Sequence, residues 1–217
     1  MQVWNYFRQY QGEILGWLWT HTWLSVLPVV IGFVVAVPLG WLAARYRWTY
    51  PPLVSFFGLV YTIPSLALFV VMPQILHTRI LDKINVVIAL AIYTVALLVR
   101  VIADALNAVP ADVRQAAEAM GFRRVQLFVR VELPLAIPVI AAGLRVVIVS
   151  NVSLVAIATL VGISQLGLLF ANGAQLNYYP PIILGIILCL ALALALDVIV
   201  VLATRLLTPW RRAVRGR

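Results

Sequence analysis

The sequence predicts an all-α, polytopic membrane protein with five transmembrane helices, and three observations predict it. Of the 217 residues, 64% are hydrophobic and only 11% charged, whereas a soluble domain carries roughly half apolar and about a quarter charged residues. Mean hydropathy is +1.05, so there is too little polar surface to face water on all sides. The apolar residues also fall into uncharged runs of the ~20 residues that a helix needs to cross a hydrocarbon core of ~30 Å.

The first run extends from about Thr22 to Ala44 and is stopped by Arg45 and Arg47. The second begins after Pro51-Pro52 and reaches about Leu76, before the polar stretch His77 to Lys83. The third runs from about Asn85 to Leu106. A long charged stretch follows, Pro110 to Glu132, which cannot lie in lipid as a whole. The fourth span starts near Pro134 to Pro138 and ends near Ala158. No charge occurs from Val146 to Leu196, but Gly162, Gly167, Asn172, Gly173, Gln175 and Asn177, followed by Pro180-Pro181, break that run. The fifth span is then about Pro181 to Ala203, and the broken piece between the last two is an external loop or re-entrant segment. Pro28, Pro38, Pro64, Pro73 and Pro138 lie within or at the edge of spans, where proline frees a backbone carbonyl and kinks the helix. Thr62 and Ser65 flank Pro64 and can supply a hydroxyl there.

Residues 1–21 hold Trp4, Tyr6, Phe7, Tyr10, Trp17 and Trp19 together with Arg8 and Glu13. This is neither the basic n-region nor the apolar h-region of a removable signal. Aromatic residues at this density suit the headgroup level, so an external, interfacial N-terminal segment is expected. Orientation follows from the bases, because cytoplasmic loops keep an excess of Lys and Arg. With five spans, Arg45, Arg47, Arg114, Arg123, Arg124, Arg130, Arg205, Arg211, Arg212, Arg215 and Arg217 share one side, and Arg8, Arg79 and Lys83 lie opposite. The N-terminus is therefore expected outside, and the C-terminus, with the basic tail 208–217, in the cytoplasm.

Composition also excludes several chemistries. The net charge of +9 resides on 16 bases, fifteen of them Arg, clustered at the span ends; this is the pattern of a membrane protein, and nucleic acid is not the implied partner. Cys189 is the only cysteine, so no disulfide or thiolate metal site forms within one chain. Lys83, the sole lysine, follows Asp82, so no G-x-x-x-x-G-K-[ST] phosphate loop is present and ATP chemistry would belong to another subunit. His21 and His77 are read as isolated and external, without the converging ligands or triad partners of a metal or catalytic site. A membrane-embedded enzyme would need a nucleophile, metal cluster or carboxylate pair, and none is found.

The charged loop, residues 107–133, is the most informative stretch. Asn107-Ala108-Val109-Pro110 ends the third helix, and Pro110 is placed as the first residue of another. Ala111 to Met120 is rich in helix formers, and Gly121 supplies the left-handed conformation that ends a helix. Phe122 to Val131 forms a second amphipathic stretch before Leu133-Pro134. The expected result is a short helix, a glycine corner and another helix, with Ala116, Ala117 and Ala119 small enough to let a partner's groove approach the backbone.

The spacing here resembles binding-protein-dependent ABC transporter permeases, whose loop reads E-A-A, three residues, G, nine residues, I-x-L-P. This chain has Gln115-Ala116-Ala117, three residues, Gly121, nine residues and Val131-Glu132-Leu133-Pro134. Tyr61-Thr62-Ile63-Pro64-Ser65-Leu66-Ala67-Leu68, the stretch Val131 to Pro138 with Ala142-Gly143-Leu144-Arg145, and Ala158-Thr159-Leu160-Val161-Gly162 before Leu166-Gly167 look like the branch for glycine betaine, choline and carnitine. Where that branch usually has Gly-Ala-Gly-Gly-Leu-Gly, this chain has Gly162-Ile163-Ser164-Gln165-Leu166-Gly167. The resemblance implies a MetI-like type I importer fold in the bacterial inner membrane. It also implies a coupling helix at Gln115, Ala116, Ala117, Glu118 and Gly121 that docks on an ATPase. The implied partners are two ATP-binding subunits holding ATP and Mg, a second permease (the same chain or a paralogue) and an external solute-binding protein. No cofactor is implied in this chain. A permease for another small substrate such as an amino acid, or an ion-coupled secondary transporter, remains as an alternative.

Four charges lie within or at the ends of spans. Arg100 and Asp104 are one helical turn apart and can pair, and Arg145 can reach Asp197 or helix carbonyls; all four read as structural, since unpaired charge in a membrane is expensive. A quaternary ammonium carries no N–H and is held on aromatic faces. Trp41, Tyr61, Phe69 and Tyr93, with Pro64 and Ser65 at the kink, are therefore the candidate substrate path.

Overall fold

The computed structural model describes residues 2–209, and among these every regular element is helical. Helix α1 spans Gln2–Arg45, α2 Tyr50–Thr62, α3 Ser65–Leu76, α4 Lys83–Asn107, α5 Ala111–Ala119 and α6 Arg124–Leu127. A π-helical turn, Phe128–Glu132, leads into α7, Leu133–Ile157; a 3-10 turn, Ala158–Val161, precedes α8, Gly167–Gln175, and α9 is Tyr179–Leu207. Helix α1, α4, α9 and the run from α6 through α7 are long and apolar enough to cross a membrane, and the bent pair α2–α3 has the length and apolarity for a fifth only when its two halves are taken together. The basic residues Arg211, Arg212, Arg215 and Arg217 lie outside the described residues.

Helix α4 is the centre of the molecule. Its core-facing residues, among them Leu90, Leu98, Val99, Ile102 and Ala103, are fully buried, because α1, α2, α3 and α7 all pack on it. The closest approach is made by α1, which presents Gly32, Ala36, Gly40 and Ala43 on one buried face. A Cβ built on Gly32 would stand 2.5 Å from Thr94 Cβ, and one on Gly40 2.7 Å from Ile102 Cβ. Small residues let helix backbones meet where lipid supplies no hydrophobic drive between them. Gly143 does the same for α7, where a Cβ would lie 2.6 Å from Val101 Cγ1.

Two elements differ from their sequence expectation. The N-terminal segment joins the first span in one 44-residue helix, about 66 Å long at 1.5 Å per residue and interrupted at Tyr10 (φ −114°, ψ 19°). Val3, Tyr6, Phe7, Ile14, Trp17 and Leu18 pack with Leu166 just before α8, Leu169 of α8 and Leu184 of α9, so tertiary contacts hold this part helical. The second span is two helices meeting at 100° instead of one kinked helix. Proline disfavours the helical region for the residue before it, and Ile63 is extended (φ −64°, ψ 130°). At 13 and 12 residues, each half is about 20 Å long, too short to cross alone.

Gly40→Ala should lower the unfolding free energy by about 1–3 kcal/mol through overpacking against Ile102. Gly58→Ala, where an added Cβ meets nothing within 4 Å, should be neutral or stabilising; thermal unfolding in one detergent compares the two.

Candidate functional site

The charged loop folds as a helix–corner–helix. Helix α5 ends in paired capping bonds: Gly121 N–H donates to the Glu118 carbonyl at 2.9 Å and Phe122 N–H to the Ala117 carbonyl at 3.2 Å. Gly121 takes φ +83°, the left-handed conformation this cap requires. Arg123 N–H then donates to Gln126 Oε1 at 3.0 Å and starts α6. Gln115, Ala116, Glu118 and Gly121 are exposed, while Ala117 is buried beneath them. The exposed set forms a shallow surface of small and polar groups, with Met120 standing 70% exposed beside it.

Beneath this surface, Arg114 ties three elements together. Its Nε lies 2.9 Å from Glu132 Oε1 in the π-helical turn, and its Nη2 donates to the Leu106 carbonyl near the end of α4. Trp41 of α1 packs on Phe128 of the same turn, ring centroids 5.9 Å apart. Through Arg114, α5 thus contacts both the end of α4 and the turn that leads into α7. Sequence reasoning did not single out Arg114 or Glu132 as partners; the signal was a charged residue in the x position of Val131-Glu132-Leu133-Pro134.

A second cluster lies midway along α4, at the α2–α3 bend. Tyr93 donates its hydroxyl to the Ile63 carbonyl, the acceptor that the bend frees. Tyr61 meets Tyr93 edge to face, centroids 5.5 Å apart at 81°. Pro64 and Ser65 complete the bend, and Thr62 Oγ1 donates to the Leu59 carbonyl at 2.7 Å. Tyr61, Pro64, Ser65 and Tyr93 thus come together. Phe69, 2% exposed, packs inside with Leu24, Met72 and Val86. Trp41 lies level with Ile102, roughly 13 Å along α4 from Tyr93, and belongs to the charged-loop end.

The intramembrane charges pair. Arg145 grips Asp197 with two bonds, Nε to Oδ1 at 2.6 Å and Nη2 to Oδ2 at 2.8 Å, joining α7 to α9. Arg100 and Asp104 stand 3.6 Å apart, and the Tyr50 hydroxyl donates to Asp104 at 2.5 Å, fixing the start of α2 against α4. His21 corrects its sequence expectation: it is fully buried, with Nδ1 2.9 Å from Gln165 Oε1 and Nε2 2.9 Å from the Val152 carbonyl. Gln165, Asn151, Thr94 and Ser25 are buried with it. No pattern in the chain announces a contact between residues 144 positions apart. His77, at the end of α3, is in the left-handed conformation (φ 53°).

Comparison with known proteins fits this architecture. Residues 36–213 match the family model described as the binding-protein-dependent transport system inner membrane component. The chain is 33% identical to the osmoprotectant import permease protein OsmW of Salmonella typhimurium, over 91% of this chain and 93% of that protein. It is 30% identical to the glycine betaine/carnitine/choline transport system permease protein OpuCD of Bacillus subtilis, over 97% and 91%. It is also 30% identical to the choline transport system permease protein OpuBB of the same organism, over 91% and 90%. Among solved structures, the inward-facing MetNI methionine ABC transporter superposes with a TM-score of 0.73 at 21% identity, over 88% of this chain and 96% of that one. An amino acid ABC transporter gives 0.73 at 20%, over 93% and 97%; at such identity the likeness concerns the fold alone.

Asp197→Ala should leave the Arg145 guanidinium unpaired and lower both the yield of folded protein and its melting temperature. The double substitution Arg145→Leu with Asp197→Leu should restore much of the loss, measured by size-exclusion profiles of heated detergent extracts.

Proposed function

Because this chain belongs to the family of binding-protein-dependent transport system inner membrane components, we propose that it is the permease subunit of an ATP-driven importer for osmoprotectants of the glycine betaine, choline and carnitine class. The observation that carries the substrate class is identity of 30–33% over at least nine-tenths of the chain to permeases named for those solutes. The proposed assembly has a second permease, the same chain or a paralogue, two ATP-binding subunits and an external solute-binding protein. ATP and Mg reside on the ATP-binding subunits. The N-terminus is outside, and the charged loop and C-terminus are cytoplasmic, in line with the distribution of bases.

In this reading the exposed face of α5 with Gly121 docks on the ATPase. Its closure moves α5, and the Arg114 contacts to Leu106 and Glu132 carry the motion to α4 and α7. The bend at Ile63-Pro64 is the point where the membrane half of the pathway can change shape, since the Tyr93 hydroxyl satisfies the carbonyl freed there. The tyrosine faces at the bend suit a quaternary ammonium. They need bind it only weakly, because release must follow entry. Affinity is left to the solute-binding protein. Each state must interact differently with ATP or solute for either to shift the balance.

Proteoliposomes holding the permease, its ATPase and its binding protein should accumulate labelled glycine betaine, choline or carnitine only with internal ATP. Accumulation of an amino acid and none of these would overturn the substrate class. Uptake that follows an ion gradient without the ATPase would overturn the importer itself.

Gly121→Val places a β-branched residue at φ +83°, which costs about 1–3 kcal/mol of local strain. It should reduce ATP-dependent uptake at least tenfold while membrane insertion, read by detergent-extracted monodisperse yield, stays near that of the unaltered protein.

A further inference from the structure

The buried pair His21 and Gln165 has a hydrogen-bonding conflict that neither neutral tautomer of the imidazole resolves. Gly167 N–H donates to Gln165 Oε1 at 2.5 Å, and Gln165 Nε2 donates to the Ala156 carbonyl at 3.2 Å and reaches Thr159 Oγ1 at 3.1 Å. Reversing the amide would set its NH2 against the Gly167 N–H and its oxygen against the Ala156 carbonyl, so its orientation is fixed. His21 Nδ1 therefore faces an acceptor, and Nε2 faces the Val152 carbonyl, a second acceptor. A neutral imidazole carries one N–H and one lone pair, and here one nitrogen must oppose an oxygen.

A doubly protonated ring would satisfy both bonds but lacks a counter-ion. The groups facing it are Gln165 from the segment before α8 and the Val152 carbonyl from α7, while on its own helix the Ser25 hydroxyl bonds the His21 carbonyl at 2.8 Å. Among the described residues no carboxylate or base acts on it. A buried unpaired charge and a buried unmatched nitrogen are both costly. Water at the ring would relieve either, and for water to reach the fully buried ring residues 162–175 would have to lift from α1 and α7. The contact that must loosen is tight: a Cβ on Gly167 would stand 2.3 Å from the Ala156 carbonyl oxygen.

We propose that His21 and Gln165 are positioning residues that form a metastable polar latch between α1 and residues 162–175, and that opening this latch is a step of the transport cycle. The proposal rests on the importer reading. It adds that the mouth opposite the charged loop is held by hydrogen bonds that are satisfied only in part, so closure is not a deep well. An intramembrane ionisable side chain is a functional candidate by default; here its partner is named, and the partner stands where the resembling branch usually has glycine.

Two opposed substitutions test it. Gln165→Glu supplies the missing counter-ion: one oxygen takes the Gly167 N–H and a protonated His21, the other takes the Thr159 hydroxyl, and these charge-assisted bonds outweigh the donor lost by the Ala156 carbonyl, so the latch tightens. Gln165→Gly removes it. Amide hydrogen exchange of residues 162–175 in lipid nanodiscs should slow at least threefold in Q165E and quicken at least threefold in Q165G. Adding His21→Phe to Q165E should abolish the slowing. ATP turnover of the assembled complex stimulated by the binding protein should fall at least threefold in Q165E, whatever the solute. Unchanged exchange in both single variants overturns the proposal, and so does altered exchange with unaltered turnover. If exchange and turnover respond but none of the three osmoprotectants is accumulated by the unaltered complex, the latch stands and the substrate reading falls.

Discussion

The close contact of α1 with α4 is the constraint from which the rest of the molecule follows. Gly32, Ala36, Gly40 and Ala43 remove side-chain bulk from one face of α1, and Thr94 and Ile102 of α4 fill the space at distances a Cβ would violate. In lipid, helices gain nothing by hiding apolar surface from water, so shape complementarity and backbone proximity decide which helices touch. Once α1 and α4 are joined, α7 closes on α4 through Gly143, and α9 is held to α7 by the Arg145–Asp197 pair. The order of assembly in space thus depends on a few absent side chains and one ion pair.

Two irregular pieces are fastened to this frame, one at the end of α4 and one halfway along it. The charged loop is attached by Arg114 to the end of α4 and to the π-helical turn before α7. π-Helical turns are frequent at functional sites, and here one, Phe128–Glu132, lies at the junction between the charged loop and a long apolar helix. The α2–α3 bend sits halfway along α4, where the tyrosine hydroxyl meets the Ile63 carbonyl that the break between the two helices leaves open. A membrane protein tolerates broken helices only where the freed backbone groups find partners. The bend therefore depends on Tyr93 as much as on Pro64.

The buried polar groups show the same economy. Ser25, Thr94, Asn151, His21 and Gln165 are all inaccessible and are distributed over α1, α4, α7 and the segment before α8. Asn151 Nδ2 lies 3.4 Å from both the Ser25 carbonyl and Thr94 Oγ1, at the long end of hydrogen-bond distance. These groups form a polar strip across four elements of the core, while Thr49, Asn85 and Thr208 are buried polar residues outside it.

Much of the fold was legible in the chain because its signals are local. Hydropathy over about 20 residues located the four long apolar helices and the apolar stretch that folds as the bent pair, and the spacing from Gln115 to Pro134, with glycine as the only residue at ease at φ +83°, described the charged loop. These properties depend on residues within a few turns of each other. The tertiary structure alone decided the 100° angle at Pro64, the burial of His21, the separation of Trp41 from the tyrosines at the bend, and the choice of Asp197 over helix carbonyls as the partner of Arg145. Proline announces a break but not its direction, and a histidine near a span end reads as exposed until a distant glutamine is seen to cover it. Which faces meet is set by packing around α4, and no local pattern encodes the rotation of one helix against another.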